Sequence, residues 1–205
     1  EGILVKADSP ITRVADLKGR RVAFARGSSS HNVTIAALEA AGLSLNDIEA
    51  ANLGASAAAL AFARGSLDAW TVWDPYFTMA QSREPTRVLA YTGDVLKNNA
   101  GFLLANRGFA ERNPALVTAL VDGAQEAGEW ATVHPQETTA ALASATGIDP
   151  TVMASVERNA SFRIVPVSDA IIASHQATAD RFFRLGLLPR AVRVSDAVWR
   201  PAAHG

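Results

Sequence analysis

No cysteine occurs among the 205 residues of this chain. Structural disulfides, thiolate metal sites and a cysteine nucleophile are therefore excluded from it. A thiol-free chain suits an oxidising compartment, where stray thiols mispair. Charge imbalance is missing too, since 19 basic side chains meet 20 acidic ones. A diffuse electrostatic grip on nucleic acid or anionic lipid is thereby excluded, and any anion bound here must be held by local donors. No apolar run reaches the ~18 residues that a membrane-spanning helix requires. The four histidines, His31, His134, His175 and His204, are scattered without metal-ligand spacing. No GxSxG elbow marks a hydrolase, and nothing couples a nucleophile to a base.

What is present suits a packed protein. Hydrophobic residues make up 49% and charged residues 19%, enough apolar surface for a sizeable core. The chain enters directly on the apolar run Ile3-Leu4-Val5, without a methionine or the basic flank of a leader peptide, as a piece of a longer protein would. That run reads as a strand broken by Asp8-Ser9-Pro10. A short helical turn at residues 16–20 stops at Gly19, and Arg21-Val22-Ala23-Phe24-Ala25 reads as the next strand. Residues 31–41 follow a helical period, with Val33, Ala36, Ala37, Ala40 and Ala41 on one stripe and Gly42 in the C′ position. Further strands are expected within 48–53, 67–73 and 87–91, with a helix at 56–64. This alternation predicts an α/β fold with a mostly parallel sheet and helices on its faces. Residues 101–105 read as one more strand, and from 114 onward helices are expected at 114–133, 136–146, 150–159 and 169–185.

Three stretches carry candidate chemistry. Gly27-Ser28-Ser29-Ser30-His31-Asn32 lies between a strand and a helix. A helix start offers unpaired N–H groups and partial positive charge, glycine permits close approach, and serines add donors without bulk. The alternative is plain N-capping by Ser29 or Ser30. His31 and Asn32 are either anion donors or solvent-exposed first-turn residues. No GK[ST] closes the turn, so nucleotide hydrolysis is not supported. The second stretch, Trp70-Thr71-Val72-Trp73-Asp74-Pro75-Tyr76-Phe77, ends a strand, where open α/β sheets gather ligands. Trp73 and Tyr76 offer apolar walls and Asp74 a charge, although Asp74 also suits an N-cap before Pro75. Trp70 reads as core. The third is Lys97-Asn98-Asn99-Ala100-Gly101-Phe102, in which Asn98 is either a ligand contact or loop asparagine.

These stretches, together with Asp8-Ser9-Pro10-Ile11, Asp16-Leu17-Lys18-Gly19-Arg20-Arg21-Val22-Ala23, Gly65-Ser66-Leu67-Asp68-Ala69-Trp70, Phe109-Ala110-Glu111-Arg112-Asn113-Pro114 and Val198-Trp199-Arg200-Pro201, occur in order along the chain. In that order they resemble the aliphatic sulfonate-binding proteins of ABC importers, within the sulfonate/nitrate/taurine group of periplasmic solute-binding proteins. The resemblance implies two α/β lobes joined by crossing strands, with an organosulfonate in the cleft between them. By that pattern residues 1–18 are a strand and crossing segment of the first lobe, and 19–95 form the second lobe. Residues 96–205 are then a return strand and the helical remainder of the first. Members carry further β/α units before the strand at Ile3, so part of the first lobe is expected outside these residues.

The resemblance also implies a ligand site at Ser28, Ser29, Ser30, His31, Asn32, Trp73, Asp74, Tyr76 and Asn98. Ser28 to Asn32 take the anionic head, Trp73 and Tyr76 the organic tail, and Asp74 an ammonium where the ligand has one. The implied protein is a periplasmic monomer with no cofactor, no metal and no nucleic-acid partner, delivering its ligand to permease subunits without making or breaking a bond. Two rivals share the scaffold: a desulfinase, which relies on a cysteine, and an effector-sensing domain of a transcription regulator.

Overall fold

A computed structural model describes residues 1–97 and 99–200. The chain divides into two compact units, Glu1–Lys97 and Asn98–Gly205. In the first, five strands form one sheet: β1 (Gly2–Lys6), β2 (Arg21–Phe24), β3 (Glu49–Asn52), β4 (Ala69–Val72) and β5 (Thr86–Tyr91), in the order β3-β2-β4-β1-β5. β2 pairs parallel with β3 and β4, whereas β1 pairs antiparallel with β4 and β5. Four strands thus run one way and β1 alone runs the other, so the expected mostly parallel sheet is a mixed one. The expected boundary at residue 18 does not separate compact units, because β1 lies inside this sheet.

Side-chain alternation on each strand builds two cores, as a period of two requires. Ile3, Val5, Val22, Phe24 and Ala69 face one side, where they meet α1 (Ser29–Ala40) through Val33, Ala37 and Leu38. Leu4, Ala23, Trp70 and Val72 face the other, against Phe62 of α2 (Ala55–Ala63) and Phe77 of α3 (Tyr76–Arg83). Trp70 is core, as its place in the alternation requires. α1 ends as expected at Gly42, whose φ is +74°. The Gly42 N–H donates to Glu39 O at 3.1 Å and the Leu43 N–H to Leu38 O at 2.8 Å. These two bonds satisfy carbonyls that the last turn leaves open. A one-turn helix, α4 (Thr92–Val95), follows β5.

The second unit is helical: α5 (Arg107–Arg112), α6 (Pro114–Val133), α7 (Pro135–Thr146), α8 (Pro150–Asn159) and α9 (Asp169–Arg184). Proline opens α6, α7 and α8, where a missing N–H costs nothing. Asp149 caps α8 by accepting from the Thr151 N–H at 2.8 Å, and these backbone donors hold its carboxyl below the usual range. The expected strand at 101–105 does not form. Those residues take no regular structure and have no ladder partner among the described residues. Leu104 is 92% exposed there. An apolar run without a neighbouring strand has nothing to pair its backbone.

Gly128 of α6 sits close against the chain at Phe162, since a Cβ there would lie 2.1 Å from the Phe162 carbonyl oxygen. Gly128→Ala should lower the stability of the second unit by about 1–3 kcal/mol, the usual cost of forcing atoms into a filled contact. Chemical denaturation of the two proteins checks this, and an unchanged midpoint would place the Phe162 backbone out of contact.

Candidate functional site

After β2 the chain turns toward β3, and after β4 it turns past β1 toward β5. The carboxyl ends of the adjacent strands β2 and β4 therefore flank a point where the connections diverge, which is where open α/β sheets hold ligands. Two of the three candidate stretches meet there: residues 28–32 follow β2, and residues 73–76 follow β4. Because β1 is antiparallel, its amino end and Glu1 arrive at the same edge, beside the end of β5. Asn98 lies outside the described residues.

The turn between β2 and α1 is closed by a ring of hydrogen bonds. The Ala25 N–H donates to Ser30 Oγ at 3.2 Å, and Ser28 Oγ donates to Ala25 O at 2.6 Å. Ser28 Oγ and Ser30 Oγ are 2.8 Å apart. Each hydroxyl has one proton, and that of Ser28 goes to Ala25, so Ser30 must donate to Ser28. The helix begins at Ser29, two residues earlier than its period suggests, and Ser28 is the N-cap, accepting from the His31 N–H at 3.5 Å. Neither Ser29 nor Ser30 fills that role. Ser30 is wholly buried, whereas Ser29 is exposed and donates its hydroxyl proton to Glu1 Oε1 at 2.8 Å. Of the three serines, Ser29 presents its hydroxyl outward.

His31 is buried, and its ring stacks on Phe24 with centroids 4.5 Å apart. The Gly27 N–H donates to Nδ1 at 3.1 Å, so the neutral ring carries its proton on Nε2. Burial, with a smaller contribution from the nearby Arg26 guanidinium, pushes its pKa below the ordinary 6.5. His31 is thus uncharged at neutral pH. Asn32 is also buried, and its N–H donates to Ser28 O at 3.3 Å. One turn on, Thr34 Oγ1 lies 2.8 Å from Ser30 O and 2.7 Å from Thr71 Oγ1. That buried contact ties α1 to β4 and fixes the two candidate stretches against each other.

On the β4 side, Trp73, Asp74 and Tyr76 are half-buried. Asp74 Oδ1 accepts from the Thr78 N–H at 3.0 Å and from Thr78 Oγ1 at 2.5 Å, capping α3 from the residue before Pro75. Tyr76 OH lies 2.9 Å from Ser56 Oγ in the first turn of α2. Asn52, at the end of β3, accepts from the Arg26 N–H at 2.9 Å. Glu1, Ser56, Asn52 and Thr92 escaped the sequence reading because strand pairing alone brings them here; Gly2 stands opposite Tyr91 across β1 and β5. No group of three or more histidine, aspartate or glutamate side chains is placed to hold a metal among the described residues. A polar concavity of about 280 Å³, lined by Arg21, Glu49, Ser66 and Asp68, lies at the opposite, amino edge of the parallel strands.

The NMT1/THI5-like family model matches residues 1–138. A relative from Escherichia coli strain K12, described as an aliphatic sulfonates-binding protein, is 39% identical over 98% of this chain and 63% of its own length. The crystal structure of the periplasmic aliphatic sulphonate binding protein SsuA from Escherichia coli superposes with a TM-score of 0.90 at 37% identity. It is matched over 98% of this chain and 66% of that one. The alkanesulfonate-binding protein SsuA from Xanthomonas axonopodis pv. citri, bound to MOPS, has a TM-score of 0.87 at 35% identity, over 98% and 69%. The chain spans 63% of the length of that Escherichia coli relative and 59% of that of a Bacillus subtilis one.

The depressed pKa of His31 predicts a pH dependence. As pH falls below 6.5, the unfolded chain takes up a proton that folded His31 still refuses, so stability declines. The loss ends once the folded imidazole also titrates. His31→Asn retains an acceptor for the Gly27 N–H and removes the titration. Denaturation between about pH 7 and pH 5 should show a shallower decline for His31→Asn, with the remaining slope including His175, whose pKa burial also lowers. Parallel slopes would show that His31 is protonated equally in both states.

Proposed function

Since the chain belongs to the NMT1/THI5-like family, we propose that it is the ligand-binding part of a periplasmic receptor that captures organosulfonates for an ABC importer. The observation that carries this reading is the meeting of an anion-suited helix start with an aromatic strand end at one divergence point, in a chain so similar to alkanesulfonate-binding proteins. The Ser29 and Ser30 N–H groups at the start of α1 have no carbonyl one turn before them and face the ligand's oxygens, while that of His31 is taken by Ser28 Oγ. Ser29 adds the one outward hydroxyl. Ser28 and Ser30 hold the turn in shape, and His31 and Asn32 form its floor. A neutral imidazole beneath the sulfonate adds no titrating charge near pH 7.

Trp73 and Tyr76 take the organic tail, with Tyr76 held by Ser56. Asp74, bound to Thr78, keeps one carboxylate oxygen for an ammonium when the ligand carries one. The receptor acts as a monomer without a cofactor and without a nucleic-acid partner. It presents the loaded form to permease subunits; binding and release are its whole cycle, with no bond made or broken. No helix among the described residues is long and apolar enough to cross a membrane.

Calorimetric titration of the full-length protein with short alkyl sulfonates, sulfate, nitrate and phosphate tests the reading. Sulfonates should bind with the highest affinity. Ser29→Ala should weaken that binding about tenfold, equivalent to one charge-assisted hydrogen bond of ~1.4 kcal/mol. Equal affinity for inorganic anions, or an unaltered response in Ser29→Ala, would sink it.

A further inference from the structure

The first turn of α1 contains no acidic residue of its own. An acidic group reaches it from the far side of the sheet edge. The Glu1 carboxylate takes the Ser29 hydroxyl proton at 2.8 Å through Oε1, while Oε2 lies 3.2 Å from Thr92 Oγ1. The backbone holds this arm in place: the Thr92 N–H donates to Glu1 O at 3.1 Å, and Gly2 pairs with Tyr91. A carboxylate is thus anchored over a helix start, where the helix dipole favours negative charge. Ser29 has one proton and it is committed to this group.

We propose that Glu1 is a built-in competitor of the ligand. Its carboxylate occupies the Ser29 donor and the positive end of α1, and an incoming oxyanion binds by displacing it. The inference rests on the sulfonate site proposed above. Two anions cannot share one hydroxyl proton, and their like charges repel at contact distance. Glu1 therefore lowers the affinity for every anion docking at this helix start, and it leaves the ranking of organic tails to the aromatic side of the site. The backbone bonds of Glu1 to Thr92 do not involve its side chain, so its replacement leaves the β1–β5 pairing intact.

The test is titration of the full-length protein with propane-1-sulfonate and with one longer alkyl sulfonate. Wild type is compared with Glu1→Gln, Glu1→Ala, Ser29→Ala and the double variant Glu1→Ala/Ser29→Ala. Glu1→Ala should tighten both ligands about tenfold and equally. Glu1→Gln, which keeps a hydrogen-bond acceptor and loses the charge, should fall between it and wild type. In the Ser29→Ala background the gain should shrink, because the contested donor is gone. Unchanged or weaker binding in Glu1→Ala, or an undiminished gain without Ser29, overturns the competitor role while leaving the sulfonate site standing. Failure of wild type and every variant to bind either sulfonate overturns the site and the competitor together.

Discussion

The first N–H groups of an α-helix have no carbonyl one turn before them, and the site depends on how the β2–α1 turn meets that constraint. A ring running from the Ala25 N–H through Ser30 and Ser28 to Ala25 O satisfies the turn internally. The Gly27 N–H is spent on His31 Nδ1. This consumption of donors directs Ser29 outward and turns the hydroxyls of its two neighbours inward. Net contributions of ~1 kcal/mol per bond are modest singly. Closed into one ring, they impose a single geometry on a turn that three serines alone would leave open to several.

That geometry acquires meaning through the sheet. β2 and β4 are parallel neighbours, and Thr34 meets Thr71 between helix and strand. The aromatic segment after β4 is thereby held beside the serine turn. The reversed strand β1 adds a third component, since only an antiparallel strand brings an amino end, and with it Glu1, to an edge otherwise made of carboxyl ends.

Much of this was legible in the sequence, and the exceptions share a cause. Prolines at helix starts placed the first residues of α6 and α8, because caps are local chemistry. Trp70 was legible as core, since the period of two is equally local. The cap position in the serine run was not legible, because three consecutive serines are locally equivalent and the ring through Ala25 selects among them. The place of β1 within the sheet depended on long-range pairing, as did the arrival of Glu1 and Thr92 at the site. Residues 101–105 have the composition of a strand, but composition supplies no partner strand. The division of labour among the serines likewise follows from which hydroxyl proton goes where, and spacing carries no record of that.

The central claim is that a sulfonate docks on the start of α1 with its tail toward the end of β4. The most direct measurement is a crystal structure of the full-length protein with a short alkyl sulfonate bound. The account predicts sulfonate oxygens within hydrogen-bond distance of Ser29 Oγ and the first-turn N–H groups of α1, with the alkyl chain against Trp73 and Tyr76. A sulfonate seated elsewhere, with the Glu1 carboxylate still on Ser29, would contradict it.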